Sequence, residues 1–276
     1  MMSYILLNNE IIKTSKAGVS ITDRGLQYGD GIFETMITNN GNIRFLQDHL
    51  DRISKGAKEL LFEVPENILT TDYINEQVLQ LKKKNNLPEE CRIKLMLWRG
   101  EGGLYTPTSK ECEFALIVDE YIPTPPRCGL ETDFAETVCV AASPVSFCKT
   151  LSSLTYTLAG IEKTKKSLDD VILLSQEGFI AETISGNIFW VKDNIIFTPK
   201  VSVGCVSGIS RKNIIADLEN KGYKVKRVLA RKADLADADA VLSTNVTGVS
   251  TIKSIGETVY KSKNGWRQVF ESVYHY

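Results

Sequence analysis

The sequence predicts an α+β fold organised as two domains. Strand-like runs occur in groups, with helical segments between them and no strict strand–helix alternation. Asn- and Gly-containing turn signals separate neighbouring strand-like runs. A stretch with three prolines, "YIPTPPRCGL", interrupts the pattern near the middle of the chain. Proline neither continues a helix nor sits in a central strand. At 276 residues the chain exceeds the usual single-domain size. The reading is therefore a smaller N-terminal α/β domain over 1–120, a linker over 121–128, and a larger β-rich C-terminal domain over 129–276.

Taken in order, "YILLNNEIIK" reads as two short strands around Asn8–Asn9, and "GIFETMITNNGNIRFL" as a hairpin around Asn39–Asn40–Gly41. Leu46, Leu50, Ile53, Ala57 and Leu60 recur at helical steps, which gathers them on one face. A second helix begins at the Thr70–Thr71–Asp72 cap and turns Ile74, Val78 and Leu81 inward. "RIKLMLWRG" and "EFALIVDEYI" are strand-like and end the first half. Beyond the linker come "TVCVAAS", a helix-like "LTYTLAGIEKTKKSL", and the strands "DVILLS", "GFIAET", "NIFWVK" and "NIIFTP". Short connections at Gln176–Glu177–Gly178 and Lys192–Asp193–Asn194 suggest a meander. "SRKNIIADLENKG" forms a helix that stops at Gly222.

Composition excludes several classes. The formal charge is −1, from 33 basic and 34 acidic residues, so there is no electrostatic footprint for nucleic acid. Lysine clusters at 82–84 and 163–166 lie in helix-like segments and read as solvated faces. The 6 cysteines have no short paired spacing and the histidines number 2, so no metal site assembles from local motifs. No run reaches the roughly 20 apolar residues of a membrane span, and "MMSYILLNNEIIK" lacks the pattern of a secretory signal. The expectation is a cytoplasmic enzyme with reduced thiols.

One carboxylate is out of place. Glu182 follows the apolar run "DVILLSQEGFI" inside a strand-like segment, where a buried charge needs a partner. From it the chain reads "ETISGNIFWVKDNIIFTPKVSVGCVSGISR", and Glu, Asn-Ile-Phe, Phe-Thr-Pro and Ser-Gly-Ile-Ser-Arg follow one another up to Arg211 without a gap. This pattern resembles the class-IV aminotransferases, fold-type IV enzymes that use pyridoxal 5'-phosphate. They include branched-chain aminotransferase, D-amino-acid aminotransferase and aminodeoxychorismate lyase.

The resemblance implies a role for each matching residue. Glu182 would face the pyridine nitrogen of the cofactor and keep it protonated, since a nearby anion favours the charged form. Lys149, in "SPVSFCKTLSSLTY", matches the Schiff-base lysine; it lies at a strand end about one β-hairpin before Glu182, with Phe147, Cys148 and Leu151 suggesting a poorly hydrated setting. Ile209 and Ser210 open a helix whose N–H groups suit an anion, and Ser243 and Thr244 match a second phosphate-contacting turn. Arg52 in "HLDRI" matches a phosphate-binding arginine of the first half. Together these segments imply an active site in the interdomain cleft. Phe33 in "DRGLQYGDGIFE" would line the substrate pocket, whereas Asp30, between two glycines, reads as structural. Family members often carry Asn-Tyr shortly after the lysine, the tyrosine touching the cofactor's phenolic oxygen; this chain has Ser152–Ser153.

Substrate choice rests on "IKLMLWRGEGGLYTPTS". Leu104 and Thr106 stand where D-amino-acid enzymes carry an arginine and a histidine. Lys94 and the Arg-Gly-x-Gly-Gly stretch are similar to the lyases, while Glu34 and Ser243–Thr244 are similar to the transaminases. The resemblance implies a transaminase working by ping-pong between an amino acid and a 2-oxo acid, with Lys94 and Phe33 on the substrate and a homodimer as the assembly. The alternative is the lyase, which releases pyruvate and 4-aminobenzoate. A cofactor-free ligand-binding protein is the reading from a different class, and the joint presence of Lys149, Glu182 and Arg52 argues against it.

Overall fold

The structure, a computed structural model, describes residues 4–123, 127–260 and 265–275. It separates into two compact units. One comprises Met1–Thr124 with Cys148–Ser153, the other Pro125–Phe147 with Leu154–Tyr276. Residues 124–126 of the expected linker lie outside the described residues. The unbroken second domain expected from 129 is interrupted, because Lys149 and Thr150 pair with Phe33 and Ile32 in the first unit.

In the first unit, β1 (Tyr4–Leu7) and β2 (Glu10–Lys13) pair across Asn8 and Asn9, both at positive φ, as the turn chemistry predicts. A short helix not expected from the sequence, α1 (Arg24–Tyr28), ends on Gly29 in the left-handed region. Then come β3 (Gly31–Asn39), β4 (Asn42–Ile43), α2 (Leu46–Glu59), α3 (Thr71–Asn85), β5 (Cys91–Arg99) and β6 (Cys112–Glu120). Thr70 caps α3 by accepting from the Tyr73 N–H at 3.3 Å. After β7 (Leu130–Phe134), which belongs to the second unit, the chain returns as β8 (Lys149–Thr150). The sheet runs β2-β1-β6-β5-β3-β4, with β8 on β3.

Leu46, Leu50, Ile53 and Ala57 of α2 are buried, the face that the periodicity predicts. Full burial of a leucine or isoleucine contributes about 1.5–3 kcal/mol. Gly56 interrupts this face for a steric reason. A Cβ there would stand 2.9 Å from Ile32 Cδ1 and 3.1 Å from Cys148 Sγ, so glycine lets the helix close on the strands beneath it.

The second unit contains α4 (Leu154–Lys165), β9 (Asp170–Leu174), β10 (Ile180–Thr183), β11 (Asn187–Lys192), β12 (Ile195–Pro199), α5 (Ile209–Asn220), β13 (Lys224–Val228), β14 (Ala240–Asn245), β15 (Gly248–Ile255), β16 (Thr258–Val259) and α6 (Trp266–Glu271). Antiparallel β9 to β12 follow one another as the expected meander. The sheet path β10-β9-β7-β15-β14-β11 closes on itself, because β10 also pairs with β11. Closure gives β10, the end strand of that path, a partner in the start of β11, a strand that β14 and β12 also flank. The closing contact is a single residue pair, Glu182 opposite Asn187. Alternation along the strands feeds two cores: Ile172, Ile180 and Ile188 face one, Val171, Leu173 and Ala181 the other. "TVCVAAS" forms no strand, only an isolated bridge between Val140 and Ser175. No helix among the described residues is long and apolar enough to cross a membrane.

Glu162 of α4 fastens the chain that follows β7. Its carboxylate accepts from the Glu136 and Thr137 N–H groups, each at 3.0 Å, and from the Thr137 hydroxyl at 2.6 Å. Lys166 stands 2.9 Å away. Burial works to raise the carboxyl pKa, but Thr137, Lys166 and the two N–H groups outweigh it and bring it from 4.5 down to about 2. Since the folded value is depressed, the stabilisation is complete above pH 4.5 and is lost as pH falls toward about 2. Glu162→Gln is expected to lower the unfolding free energy at neutral pH by on the order of 2–3 kcal/mol. Urea unfolding followed at decreasing pH should show this gap closing on the acid side of 4.5.

Candidate active site

Strand β3 sorts the first-unit residues by its two-residue period. Phe33 and Thr35 share one face with Lys94 and Met96 of β5, their partners across the pair, and with Lys149 of β8 opposite Phe33. The Lys94 ammonium stands 4.9 Å from the Phe33 ring centroid and that of Lys149 stands 5.8 Å from it. Two cations and one aromatic face thus gather on half-buried ground. Burial, then the nearby Arg92, pushes Lys94 below its usual pKa. Cys148, beside Lys149, is buried and its thiol is pushed up to about 11, chiefly by burial. Of the three residues expected to dry the setting, Cys148 alone is buried, while Phe147, Leu151 and Lys149 itself are half-buried.

The opposite face of β3 carries Glu34, fully buried. Arg52 of α2 grips it as a fork, Nε to Oε1 at 2.6 Å and Nη2 to Oε2 at 2.5 Å. His49 Nδ1 lies 2.7 Å from Oε2. Burial would raise the Glu34 carboxyl, but Arg52 and His49 prevail and hold it below the usual range. His49 Nε2 is buried without a partner, so Nδ1 is the ring nitrogen that engages the carboxylate. Arg52 is thereby oriented through Glu34, on the side of the strand away from Phe33 and Lys149.

Asp30 anchors the connection from β5 to β6. Its Oδ2 takes Nε of both Arg24 and Arg99 at 2.9 Å. Arg24 Nη1 donates to the carbonyls of Gly102, Gly103 and Leu104. Arg99 donates to the Ser109 carbonyl at 3.0 Å and the Leu60 carbonyl at 2.6 Å. The arginine of the Arg-Gly-x-Gly-Gly stretch is therefore a structural clamp. Leu104, one of the substrate-choice positions, is 76% exposed.

In the second unit Glu182 owes its direction to an irregularity. Ile180 stands opposite Leu174 and Glu182 opposite Leu173, so β10 uses one residue more than β9. Strict alternation would send Glu182 into the core of Ile180; the bulge turns it to the side of Leu173 instead. There, 3% exposed, it accepts from the Tyr156 hydroxyl at 2.7 Å and from the Val206 N–H at 3.1 Å. Asn187, its partner across the closing pair, donates Nδ2 to the Val206 carbonyl at 2.8 Å. Both ends of the closing pair thus hold Val206. Burial first, then the Glu182 charge, raises the Tyr156 phenol, and the same causes push the Cys205 thiol up to about 12. Both neighbours stay neutral.

Val206 leads into α5. Gly208 is its N-cap and supplies no side-chain acceptor, so the first-turn N–H groups of Ile209 and Ser210 stay uncapped from within. A Cβ on Gly208 would stand 1.9 Å from Asn187 Oδ1; only glycine fits. Arg211 fixes the helix to β12, donating to Thr198 Oγ1 at 3.2 Å and to the Pro199 carbonyl at 2.7 Å. That contact is why Phe-Thr-Pro and the arginine of Ser-Gly-Ile-Ser-Arg travel together in the sequence. Ser243 and Thr244, expected on a turn, lie within β14 instead, paired with Ile188 and Asn187. The Ser243 hydroxyl is 2.9 Å from that of Thr183.

The structure thus brings Glu182, Ile209, Ser210, Ser243 and Thr244 around the β10–β11 closure, and Phe33, Lys94 and Lys149 onto one sheet face. Lys149 and Glu182 are separated along the chain by α4 and β9, more than the single hairpin expected. Tyr156 escaped the sequence reading. A tyrosine within a helical period carries no sign of what its hydroxyl meets.

Comparison with known proteins gives a consistent picture. The amino-transferase class IV family model matches residues 31–255. A Methanocaldococcus jannaschii relative named as a branched-chain-amino-acid aminotransferase is 31% identical, covering 96% of this chain and 96% of its own length. An aminodeoxychorismate lyase of Vibrio harveyi is 28% identical over 86% of this chain and 87% of its own. Among solved structures, the Escherichia coli branched-chain amino acid aminotransferase superposes with TM-score 0.86 at 22% identity, covering 100% of this chain and 92% of that one. A branched-chain amino acid aminotransferase from T.th., solved with pyridoxamine 5'-phosphate, gives TM-score 0.88 at 24% identity, covering 100% and 94%. At these identities the structural likeness shows the fold.

Asp30→Asn tests the clamp. It leaves two arginines, each 4% exposed, without their anion. The expected cost is about 3–5 kcal/mol, with faster proteolytic cleavage between residues 100 and 109. A variant as stable and as resistant as the wild type would remove Asp30 from this role.

Proposed function

The chain belongs to the class-IV aminotransferase family and is an amino-group-transferring enzyme; from that premise we propose a ping-pong transfer between an amino acid and a 2-oxo acid, with pyridoxal 5'-phosphate as cofactor. The donor set supports this cofactor. A buried carboxylate suits a basic ring nitrogen, while an uncapped helix start and buried hydroxyls suit a phosphate. When bound, the cofactor supplies an electron-withdrawing ring that accepts charge from the substrate's α-carbon.

The residues of this chain do the rest. Lys149 holds the cofactor covalently and, as a neutral amine, moves the proton at the substrate α-carbon. Glu182 keeps a proton on the ring nitrogen. Ile209 and Ser210 offer N–H groups to the phosphate and Ser243 and Thr244 hydroxyls; Arg52 is assigned to the phosphate by the family resemblance alone, since its Nε and Nη2 are engaged by Glu34. Phe33 presents an apolar wall and Lys94 a cation to the substrate. The single observation that carries the reading is Glu182, turned by a bulge out of a strand's alternation and buried against neutral donors. A homodimer is proposed as the assembly, supported by Leu154, Leu158 and Ile161, which stand 72%, 47% and 47% exposed along one face of α4. A cytoplasmic setting is proposed with it.

The lyase remains the second reading because Lys94 and the Arg-Gly-x-Gly-Gly stretch are similar to that branch. Arg99, however, is committed to Asp30, Leu60 and Ser109, which removes the strongest residue of that stretch from substrate binding. Transamination of apolar amino donors with 2-oxoglutarate is expected. Acceptor-independent pyruvate release from aminodeoxychorismate, with no amino transfer from any amino acid, would install the lyase.

Borohydride reduction of the purified protein should fix the cofactor on the peptide containing Lys149, and Lys149→Ala should abolish turnover while phosphate contacts still hold the cofactor. A label on any other lysine refutes the assignment. Lys94→Met removes one cation near Phe33, so KM for the amino donor should rise by roughly tenfold with kcat little changed. An equal fall in kcat would mean that Lys94 acts on the chemistry.

A further inference from the structure

Inside the second unit, the Tyr156 hydroxyl donates to Glu182 Oε1 while the Val206 N–H occupies Oε2. Neither donor comes from the strand that carries Glu182. Tyr156 lies in the first turn of α4, and its ring packs against the core of Val171, Leu173, Ala181 and Cys205. The contact is therefore fixed at both ends, by ring packing on one side and by the bulge in β10 on the other.

We propose that Tyr156 is the positioning residue for Glu182, biasing the proton shared between this carboxylate and the cofactor's ring nitrogen toward the nitrogen. This rests on Glu182 as the ring-nitrogen partner. The physical argument is a competition for one proton. A buried carboxylate is driven by desolvation to take up a proton, and each donor it accepts from stabilises its ionised form. With the Tyr156 and Val206 donors in place, Glu182 is the weaker base and the proton stays on the ring. Removing the hydroxyl strengthens the carboxylate as a base and loosens its aim. The titratable neighbours do not blur this, because Tyr156 and Cys205 are both held neutral by burial and by Glu182 itself. Arg211, the nearby cation, is engaged with Thr198 and Pro199.

The test reads the ring nitrogen directly, by ¹⁵N NMR of the protein loaded with ¹⁵N-labelled pyridoxal 5'-phosphate. In Tyr156→Phe, which keeps the packed ring, the nitrogen should lose its proton at a pH lower by about one to two units than in the wild type. Installing 3-fluorotyrosine at position 156, a stronger donor of nearly the same shape, should shift it the other way. Glu182→Gln separates the two layers of the argument. If Glu182→Gln leaves the nitrogen protonated as before, the partner reading itself fails. If Glu182→Gln deprotonates the nitrogen but neither change at Tyr156 moves it, the role of Tyr156 is overturned. Loss of thermal stability in Tyr156→Phe with an unmoved nitrogen signal would likewise reduce Tyr156 to packing.

Discussion

The second unit depends on one residue pair. Glu182 and Asn187 close a ring of strands in which β10 would otherwise be left as an open edge. The same two side chains then hold Val206 by its N–H and its carbonyl. Closure of the strands and the placement of the chain entering α5 are therefore set by the same pair. Val206 fixes where α5 begins, Gly208 keeps that start uncapped, and Arg211 ties the helix back to β12. A carboxylate at the seam of a barrel costs desolvation, and the fold tolerates it because donors wait for it from α4 and from the chain entering α5.

The first unit solves a different problem by the same means. β3 is a single strand with two unlike faces, separated only by the alternation of its side chains. Phe33 looks toward two lysines, while Glu34, one residue on, is buried beneath α2 between Arg52 and His49. Placing a carboxylate under a helix needs full compensation, and the fork of Arg52 supplies it. Asp30 repeats the device a few residues earlier, collecting Arg24 and Arg99 to hold the long connection after β5.

These buried charges share a feature that bears on function. Each is compensated by a residue from another element, so each reports whether those elements are correctly docked. The apolar cores supply most of the stabilisation, but they tolerate small slips of one layer over another; hydrogen-bonded charges do not.

Much of this was legible in the sequence, for a physical reason. Hairpin turns at Asn8–Asn9 and Asn40–Gly41, the α2 face of Leu46, Leu50, Ile53 and Ala57, and the Thr70 cap are set by interactions within a few residues, so local pattern determines them. The run from Glu182 to Arg211 identified the family because its elements touch one another in space, Arg211 with Thr198 and Pro199, Asn187 with Val206. What lay beyond the sequence concerns register and long-range contact. The bulge that turns Glu182, the return of Lys149 to the first unit, the position of Ser243 and Thr244 within a strand, and the bond from Tyr156 all depend on which residue of one strand faces which of another. An extra residue on β10 changes the side to which a carboxylate points without leaving a mark in hydrophobic periodicity, since both sides of that strand are buried. Sequence alone determined the elements and the chemistry they carry; the tertiary structure decided which way each functional side chain faces and what holds it there.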